Sequence, residues 1–248
     1  MAPVTAVALE VTHIAKHFGG LVALRDVSFR VHEGEVMGLI GPNGAGKSTL
    51  FEIVSGNLAP SSGRVAFFGQ DCTGDPAHLR RRAGLCRTFQ KVRLFESMTV
   101  AENIAVSARQ CIKPGLDWRI EVDSILRRLR LDAQADRKPS EITLADRKRV
   151  EIGRAVAGVC RVLMLDESLS GLTHEEAEEM IGEILALSRD TGITVIVVEH
   201  VLSVLAAMVK RLVVLNNATV IADGTPNEIA HDPVVIAAYL GTRASVLR

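Results

Sequence analysis

Gly41-Pro42-Asn43-Gly44-Ala45-Gly46-Lys47-Ser48 follows a short aliphatic run, Val36 to Ile40, and opens a stretch of helical period, Lys47 to Val54. The octapeptide satisfies G-x-x-x-x-G-K-[ST], and a buried strand before it with a helix start after it is the context that pattern needs. Its glycines let successive backbone N–H groups turn inward on phosphate oxygens, and the helix start adds partial positive charge. Lys47 is placed to reach the β- and γ-phosphates, and the Ser48 hydroxyl, followed by Thr49, to ligate Mg²⁺. A glycine-rich turn that merely joins strand to helix is the alternative, and it leaves the Lys-Ser pair without a role.

Outward from the loop, Val162 to Leu165 and Ile193 to Val198 repeat the continuous aliphatic pattern of strands buried on both faces. Helical stretches succeed them, Glu175 to Leu187 and Val201 to Met208, and this alternation predicts a parallel α/β core with crossover helices. Val7 to Val11 and Ala23 to Val31 instead alternate apolar with polar, as strands of an antiparallel layer do. Between about Lys91 and Gly158 the pattern turns helical, over Val100 to Arg109, Ile120 to Leu129 and Ala145 to Ala157, with a loop from Leu131 to Ser140. The fold class expected is therefore α/β: a P-loop NTPase core with a parallel sheet, an antiparallel β layer and an inserted helical subdomain. One nucleotide-binding domain is expected over 1–248, with 1–90 and 159–248 as its core and 91–158 as the insertion.

The strand Val162 to Leu165 runs into Asp166-Glu167, which brings two carboxylates to the carboxyl edge where α/β proteins bind ligands. Adjacent acids there repel unless a cation or proton is shared. Asp166 is the natural acceptor for the Mg²⁺ water shell, and Glu167 is placed to polarise a water toward the γ-phosphate. Two solvated acids in a turn would be the reading if the strand stood alone.

Composition narrows the classes. The 248 residues are 48% hydrophobic with a formal net charge of +0, so the chain lacks the field that gathers nucleic acid or an anionic bilayer. Arg80-Arg81-Arg82 and Arg127-Arg128 read as solvated helix faces. Cys72, Cys86, Cys111 and Cys160 show no metal or redox spacing and read as reduced, mostly buried thiols. No signal peptide and no uncharged apolar run near the ~20 residues of a bilayer span is visible, so any membrane contact is expected through a partner.

With these motifs in hand the sequence closely resembles the ABC ATPase family, and within it the ATP-binding subunits of branched-chain amino acid (LIV-type) importers. Gln90 in Arg87-Thr88-Phe89-Gln90 matches the family's Q-loop, His200 in Val197-Val198-Glu199-His200 its switch histidine, and Phe18 in His17-Phe18-Gly19-Gly20 the aromatic that stacks on adenine. Each has a plainer alternative: Phe18 as core packing, Gln90 as a polar loop residue, His200 as a capping group. The subfamily resemblance rests on Phe18-Gly19-Gly20-Leu21, Arg93-Leu94-Phe95, Met98 to Asn103, and Gly224-Thr225-Pro226 through Ala238-Tyr239-Leu240-Gly241. It implies ATP as ligand, held by Phe18 and Gly41 through Thr49, with Mg²⁺ on Ser48, Gln90 and Asp166, and with Glu167, His200 and Gln90 in hydrolysis.

The resemblance also implies partners. They are transmembrane permease subunits, a second ATP-binding subunit, and indirectly a periplasmic or extracellular solute-binding protein, at the cytoplasmic face of the membrane and without nucleic acid. Val92 to Met98 is where family members receive a cytoplasmic helix of the membrane subunit, though the same residues could form a satellite apolar cluster.

Two stretches depart from the family pattern. The signature, usually Leu-Ser-Gly-Gly-Gln, reads Ile142-Thr143-Leu144-Ala145-Asp146, so a hydroxyl survives, both glycines are replaced and the amide has become an acid. Thr143 and Asp146 also fit an N-cap box, [ST]-x-x-[DE]. After Glu167 stands Ser168 in place of the usual Pro, and Gly171 where an Asp is expected. In the family each ATP is enclosed by one subunit's phosphate loop and the other's signature, so Thr143, Leu144, Ala145 and Asp146 would serve the partner's ATP. A heterodimer is favoured on that ground, with a homodimer possible.

Overall fold

The computed structural model describes residues 6–89, 92–111, 117–199 and 202–244. In chain order its first elements are β1 (Val7–Phe18), β2 (Leu21–His32), β3 (Val36–Ile40), α1 (Lys47–Val54), β4 (Ser62–Phe67), β5 (Gln70–Asp71), α2 (Ala77–Ala83), β6 (Leu85–Arg87), α3 (Val100–Cys111) and α4 (Trp118–Arg128). There follow α5 (Leu144–Val156), β7 (Val162–Asp166), α6 (His174–Thr191), β8 (Thr194–Val198), α7 (Leu202–Met208), β9 (Arg211–Asn216), β10 (Thr219–Gly224), α8 (Pro226–His231) and α9 (Pro233–Ala244). Two compact units form, residues 1–80 with 194–248, and residues 81–193. The helical stretch expected at 91–158 falls inside the second unit, which also takes in β6, β7 and α6.

In the first unit β3 runs parallel to both β8 and β9, and its side chains from Met37 to Ile40 are buried. A strand covered on both faces has no polar side to show, which is why Val36 to Ile40 reads as a continuous aliphatic run. β1 and β2 form the antiparallel layer with β4, and they bury Leu9, Val11, Ile14, Leu24, Val27 and Val31 in alternation. Both are longer than the alternation predicted, because register shifts after Val11 break the period without ending the pairing. β10 pairs antiparallel with β9 and meets β2 at Thr219 and Asp26, so it joins the layer to the core strands.

In the second unit β6 and β7 are parallel, with Arg87 opposite Met164. The helices α3 and α4 pack with α5 through a glycine: a Cβ on Gly153 would stand 3.1 Å from both Ile104 of α3 and Ile125 of α4. Close helix approach therefore depends on Gly153, whose helix-propensity cost is about 1 kcal/mol against alanine. At the other end of the unit α6 begins with Thr173 and Glu176 in a reciprocal capping box and ends at Gly192 in the left-handed conformation. The expected loop from Leu131 to Ser140 contains two short 3-10 turns, Asp132–Gln134 and Pro139–Glu141.

One reading from composition is corrected, and the reading of the cysteines as reduced, mostly buried thiols holds for Cys72, Cys86 and Cys160. Arg80 is not a solvated face residue: it is 2% exposed and donates to the carbonyls of Ile53 and Val54 at 2.8 and 2.7 Å, at the C-terminus of α1. Arg81 does the same for the end of α5, with Ala157 O at 2.6 Å and Val159 O at 2.7 Å. Orphan carbonyls at a helix end attract cations, so the arginine run has two structural tasks. Cys86 and Cys160, unrelated by spacing, bring their thiols into hydrogen-bond contact, and that bond together with burial pushes the Cys160 thiol up. Among the described residues no helix is long and apolar enough to cross a membrane.

Candidate functional site

The chain leaves β3 at Gly41 with φ 154°, and a Cβ there would lie 2.1 Å from the carbonyl oxygen of Leu215. Only glycine fits that exit, so the first loop residue is fixed by the β9 backbone beside it. Gly44 and Gly46 take φ 81° and 106°, the left-handed region that favours glycine. Gly46 rests against the backbone of Ala23 and the side chain of Leu24 on β2, while the space around Gly44 is open. Helix α1 then starts at Lys47 with Gly46 as N-cap and no side-chain cap. The first N–H groups of a helix have no intrahelical acceptor, so this start presents donors together with positive dipole charge.

Lys47 is 8% exposed, and its ammonium donates to the carbonyl oxygens of Gly41 at 2.6 Å and Pro42 at 3.1 Å. The loop therefore holds its own cation across its mouth, where phosphate oxygens can replace carbonyl dipoles as partners. Asn43 and Ser48 are exposed, Thr49 is half-buried and Ala45 is buried. Phe18 ends β1 as an exposed ring with the Lys16 ammonium 5.1 Å from its centroid, at the tip of the hairpin whose β2 arm carries Ala23 and Leu24. Tyr239 of α9 accepts a hydrogen bond from the Gly41 backbone N–H, and burial raises its phenol pKa. Sequence reasoning used Tyr239 only as part of a lineage pattern; an α9 contact to the loop has no local signal in the chain.

In the second unit β7 is buried along its length, and Asp166 at its end is 8% exposed, facing the Arg87 guanidinium at 3.6 Å. Glu167 follows with φ 49°, a left-handed conformation that costs a non-glycine residue on the order of 1–2 kcal/mol. The strain persists because the turn is fastened from several sides. Lys148 of α5 donates to the carbonyls of Ser168 at 2.9 Å and Glu167 at 3.5 Å. The Ser168 hydroxyl bonds that of Thr88 at 3.0 Å, and Thr88 Oγ1 accepts the Asp166 N–H at 3.2 Å. Glu151, also on α5, accepts the Phe89 N–H at 3.0 Å, and burial raises its carboxyl pKa. Gln90 and His200 lie outside the described residues.

The signature stretch forms the start of α5. Thr143 is its N-cap and accepts the Asp146 N–H at 3.1 Å, so half of the expected capping box is present. The Asp146 carboxylate turns to Arg149 at 3.2 Å. Arg149, itself 7% exposed, also pairs with Glu183 at 2.9 Å and Glu179 at 3.2 Å. Burial works against its charge, but Glu183 and Asp146 more than offset that and hold its pKa above the ordinary value. Leu144 is 47% exposed and Ala145 is buried. On the segment beside Gln90, Phe95 is 43% exposed with the Arg154 guanidinium 4.8 Å from its ring, and Asn103 pins its backbone N–H at 2.8 Å.

Comparison with known proteins agrees with this geometry. A family model described as ABC transporter matches residues 24–170, and one described as branched-chain amino acid ATP-binding cassette transporter matches 219–245. The high-affinity branched-chain amino acid transport ATP-binding protein LivG of Salmonella typhimurium is 36% identical over 94% of this chain and 97% of its own length. BraF of Pseudomonas aeruginosa, of the same description, is 34% identical over 94% and 97%. Among solved structures, the ADP conformation of MJ1267, an ATP-binding cassette of an ABC transporter, superposes with a TM-score of 0.86 at 32% identity, over 96% of this chain and 100% of that one.

Proposed function

The chain belongs to the ABC transporter family, and we propose that it energises an importer of branched-chain or related amino acids from the cytoplasmic face of the membrane. It is an ATP-binding and ATP-hydrolysing subunit. The observation that carries the solute class is the match of residues 219–245 to the branched-chain cassette model, in the stretch that supplies Tyr239 to the phosphate loop. No residue here need touch the solute, so the solute class follows from lineage. Permease subunits in the membrane and a solute-binding protein on its far side complete the proposed assembly.

Within the chain, Lys47 and the amides from Gly44 to Thr49 take the phosphates, and Phe18 stacks on adenine, worth about 1–3 kcal/mol by analogy with nucleobase platforms. Glu167 orients and polarises the attacking water, while Gln90 and His200 respond to the γ-phosphate. Ser48, Asp166 and Gln90 would hold Mg²⁺, and the donor types fit, since hydroxyl, carboxylate and amide oxygens are the hard ligands this ion takes. Asp166 is 8% exposed at the end of the buried strand β7, and an ion there would share its carboxylate with the Arg87 guanidinium at 3.6 Å. When bound, the ion supplies positive charge to the β- and γ-phosphate oxygens.

Thr143 to Asp146 would close on the ATP of a second subunit. Thr143 Oγ1 accepts the Asp146 N–H, which removes one helix-start donor, and the Asp146 carboxylate, paired with Arg149, supplies no donor where the family's glutamine amide would. Pairing with a different ATP-binding subunit, which brings a full signature to the loop of this chain, is the arrangement that leaves one strong site. Phe95, exposed beside Arg154, lies on the proposed permease-docking segment.

Pull-down of the chain from native membranes tests the reading. Polytopic subunits and a second cassette should be recovered, and Phe95→Asp should lose the polytopic subunits while still binding ATP. Recovery of ribosomes or DNA in their place would contradict it.

A further inference from the structure

Ser168 stands where the family pattern has proline, and the structure gives the change a use. A proline there has no hydroxyl, whereas the Ser168 Oγ lies 3.0 Å from Thr88 Oγ1, across 80 residues of sequence. Both groups are buried, Thr88 at 1% and Ser168 at 6% exposure. Thr88 also donates its N–H to Met164 O at 2.9 Å and accepts the Asp166 N–H at 3.2 Å, so it stitches the end of β6 onto the end of β7 on the acidic side.

The helix α5 adds two further ties, one to each partner of that stitch. Lys148, 6% exposed, holds the Ser168 carbonyl at 2.9 Å, and Glu151, 8% exposed and one turn further along, holds the Phe89 N–H at 3.0 Å. Lys148 and Glu151 are three residues apart and so share a helix face. The left-handed turn at Glu167 and the segment Arg87–Phe89, which leads in sequence to Gln90, are thus fastened both to each other and to one rigid helix that begins at Thr143.

We infer that Thr88, Ser168, Lys148 and Glu151 are positioning residues that make the Glu167 turn and the approach to Gln90 move as one body with α5. Each is short of the reacting atoms and acts through the backbone it holds. A shift of α5 when its Thr143 end meets a partner subunit's nucleotide is transmitted to the Glu167 carboxylate by Lys148 and to the Gln90 approach by Glu151. The serine-threonine bond keeps those two displacements equal. The inference rests on the assignment of Glu167 to hydrolysis.

The test is a double-mutant cycle, Thr88→Val with Ser168→Ala, in the assembled transporter, with kcat counted per bound nucleotide so that unfolded protein does not enter. Ser168→Ala should lower kcat about fivefold, the size of one buried neutral hydrogen bond, and Thr88→Val, which also gives up the acceptor for the Asp166 N–H, should lower it further, each with KM for ATP within about twofold. The double variant should be little worse than Thr88→Val alone, and Ser168→Thr, which keeps the hydroxyl, should keep the rate. Glu151→Gln, which keeps the acceptor for the Phe89 N–H, should be milder than Glu151→Leu. Losses that multiply in the double variant, or single variants with unchanged kcat, overturn the inference. Glu167→Gln run alongside reports on the base alone: normal hydrolysis there sinks that assignment and leaves the Thr88–Ser168 cycle to be judged on its own non-additivity.

Discussion

Two helix starts in this molecule are built in opposite ways. α1 begins after Gly46 with no side-chain cap, open space around Gly44 and a lysine folded back on loop carbonyls. α5 begins after Thr143, whose hydroxyl already accepts the Asp146 N–H, and Asp146 itself is tied to Arg149. Both ends carry the same backbone dipole, yet at α1 no side chain takes a helix-start donor, whereas at α5 Thr143 takes the Asp146 N–H. A helix N-terminus offers an anion its unsatisfied N–H groups, and a capping side chain that stabilises the helix takes one of them.

The largest expected effects lie on the open start and on Glu167, the proposed base. Glu167→Gln should keep nucleotide binding and lower hydrolysis about 10²–10⁴-fold, as loss of a positioned base does. Lys47→Ala should instead abolish binding, measured by equilibrium titration with labelled ATP, because a buried charge-assisted contact to phosphate goes with it. If Lys47→Ala binds normally, the open start is not the phosphate site and the comparison between the two helices fails.

Gly41→Ala sharpens the same contrast through packing. Its Cβ would collide with Leu215 O at 2.1 Å, so either β9 or the loop must move. A loss of about 2 kcal/mol or more in unfolding free energy, together with weaker ATP binding, is expected by denaturant titration. Equal stability and equal affinity would show that the loop does not depend on that exit.

Thr143→Ala gives the smallest effect. Removing the cap should cost about 1 kcal/mol and lower Tm by roughly 2–4 °C, while ATP affinity of the isolated chain stays unchanged. A drop in that affinity would mean that the α5 start acts on the chain's own nucleotide.

The phosphate loop was legible because its chemistry is local: strand, glycines, lysine and helix start are contiguous from Val36 to Val54. The buried strands β3, β7 and β8 were legible for the same reason, as continuous aliphatic runs. β9, β10, α8 and α9 were not assigned, although Arg211–Asn216 and Thr219–Gly224 form a hairpin whose turn runs through Asn217 and Ala218 at positive φ. Alanine there gives no turn signal of the kind glycine would. The tie between Thr88 and the Glu167 turn was beyond sequence reading, because it depends on the β6–β7 register that sets Arg87 opposite Met164. Ser168 was visible as a departure, but its partner Thr88 was not. Asp146 was legible as a charge at the signature, and what the sequence withheld was Arg149 turning that charge inward.

ATPase activity of the purified chain alone, set against that of the complete transporter, with and without Asp146→Gln, tests the central claim that this chain has a competent phosphate loop and a weak signature. The lone chain should hydrolyse ATP slowly, the complex should be fast, and Asp146→Gln should raise the rate of the lone chain. A lone chain as active as the complex and indifferent to Asp146→Gln would contradict the account.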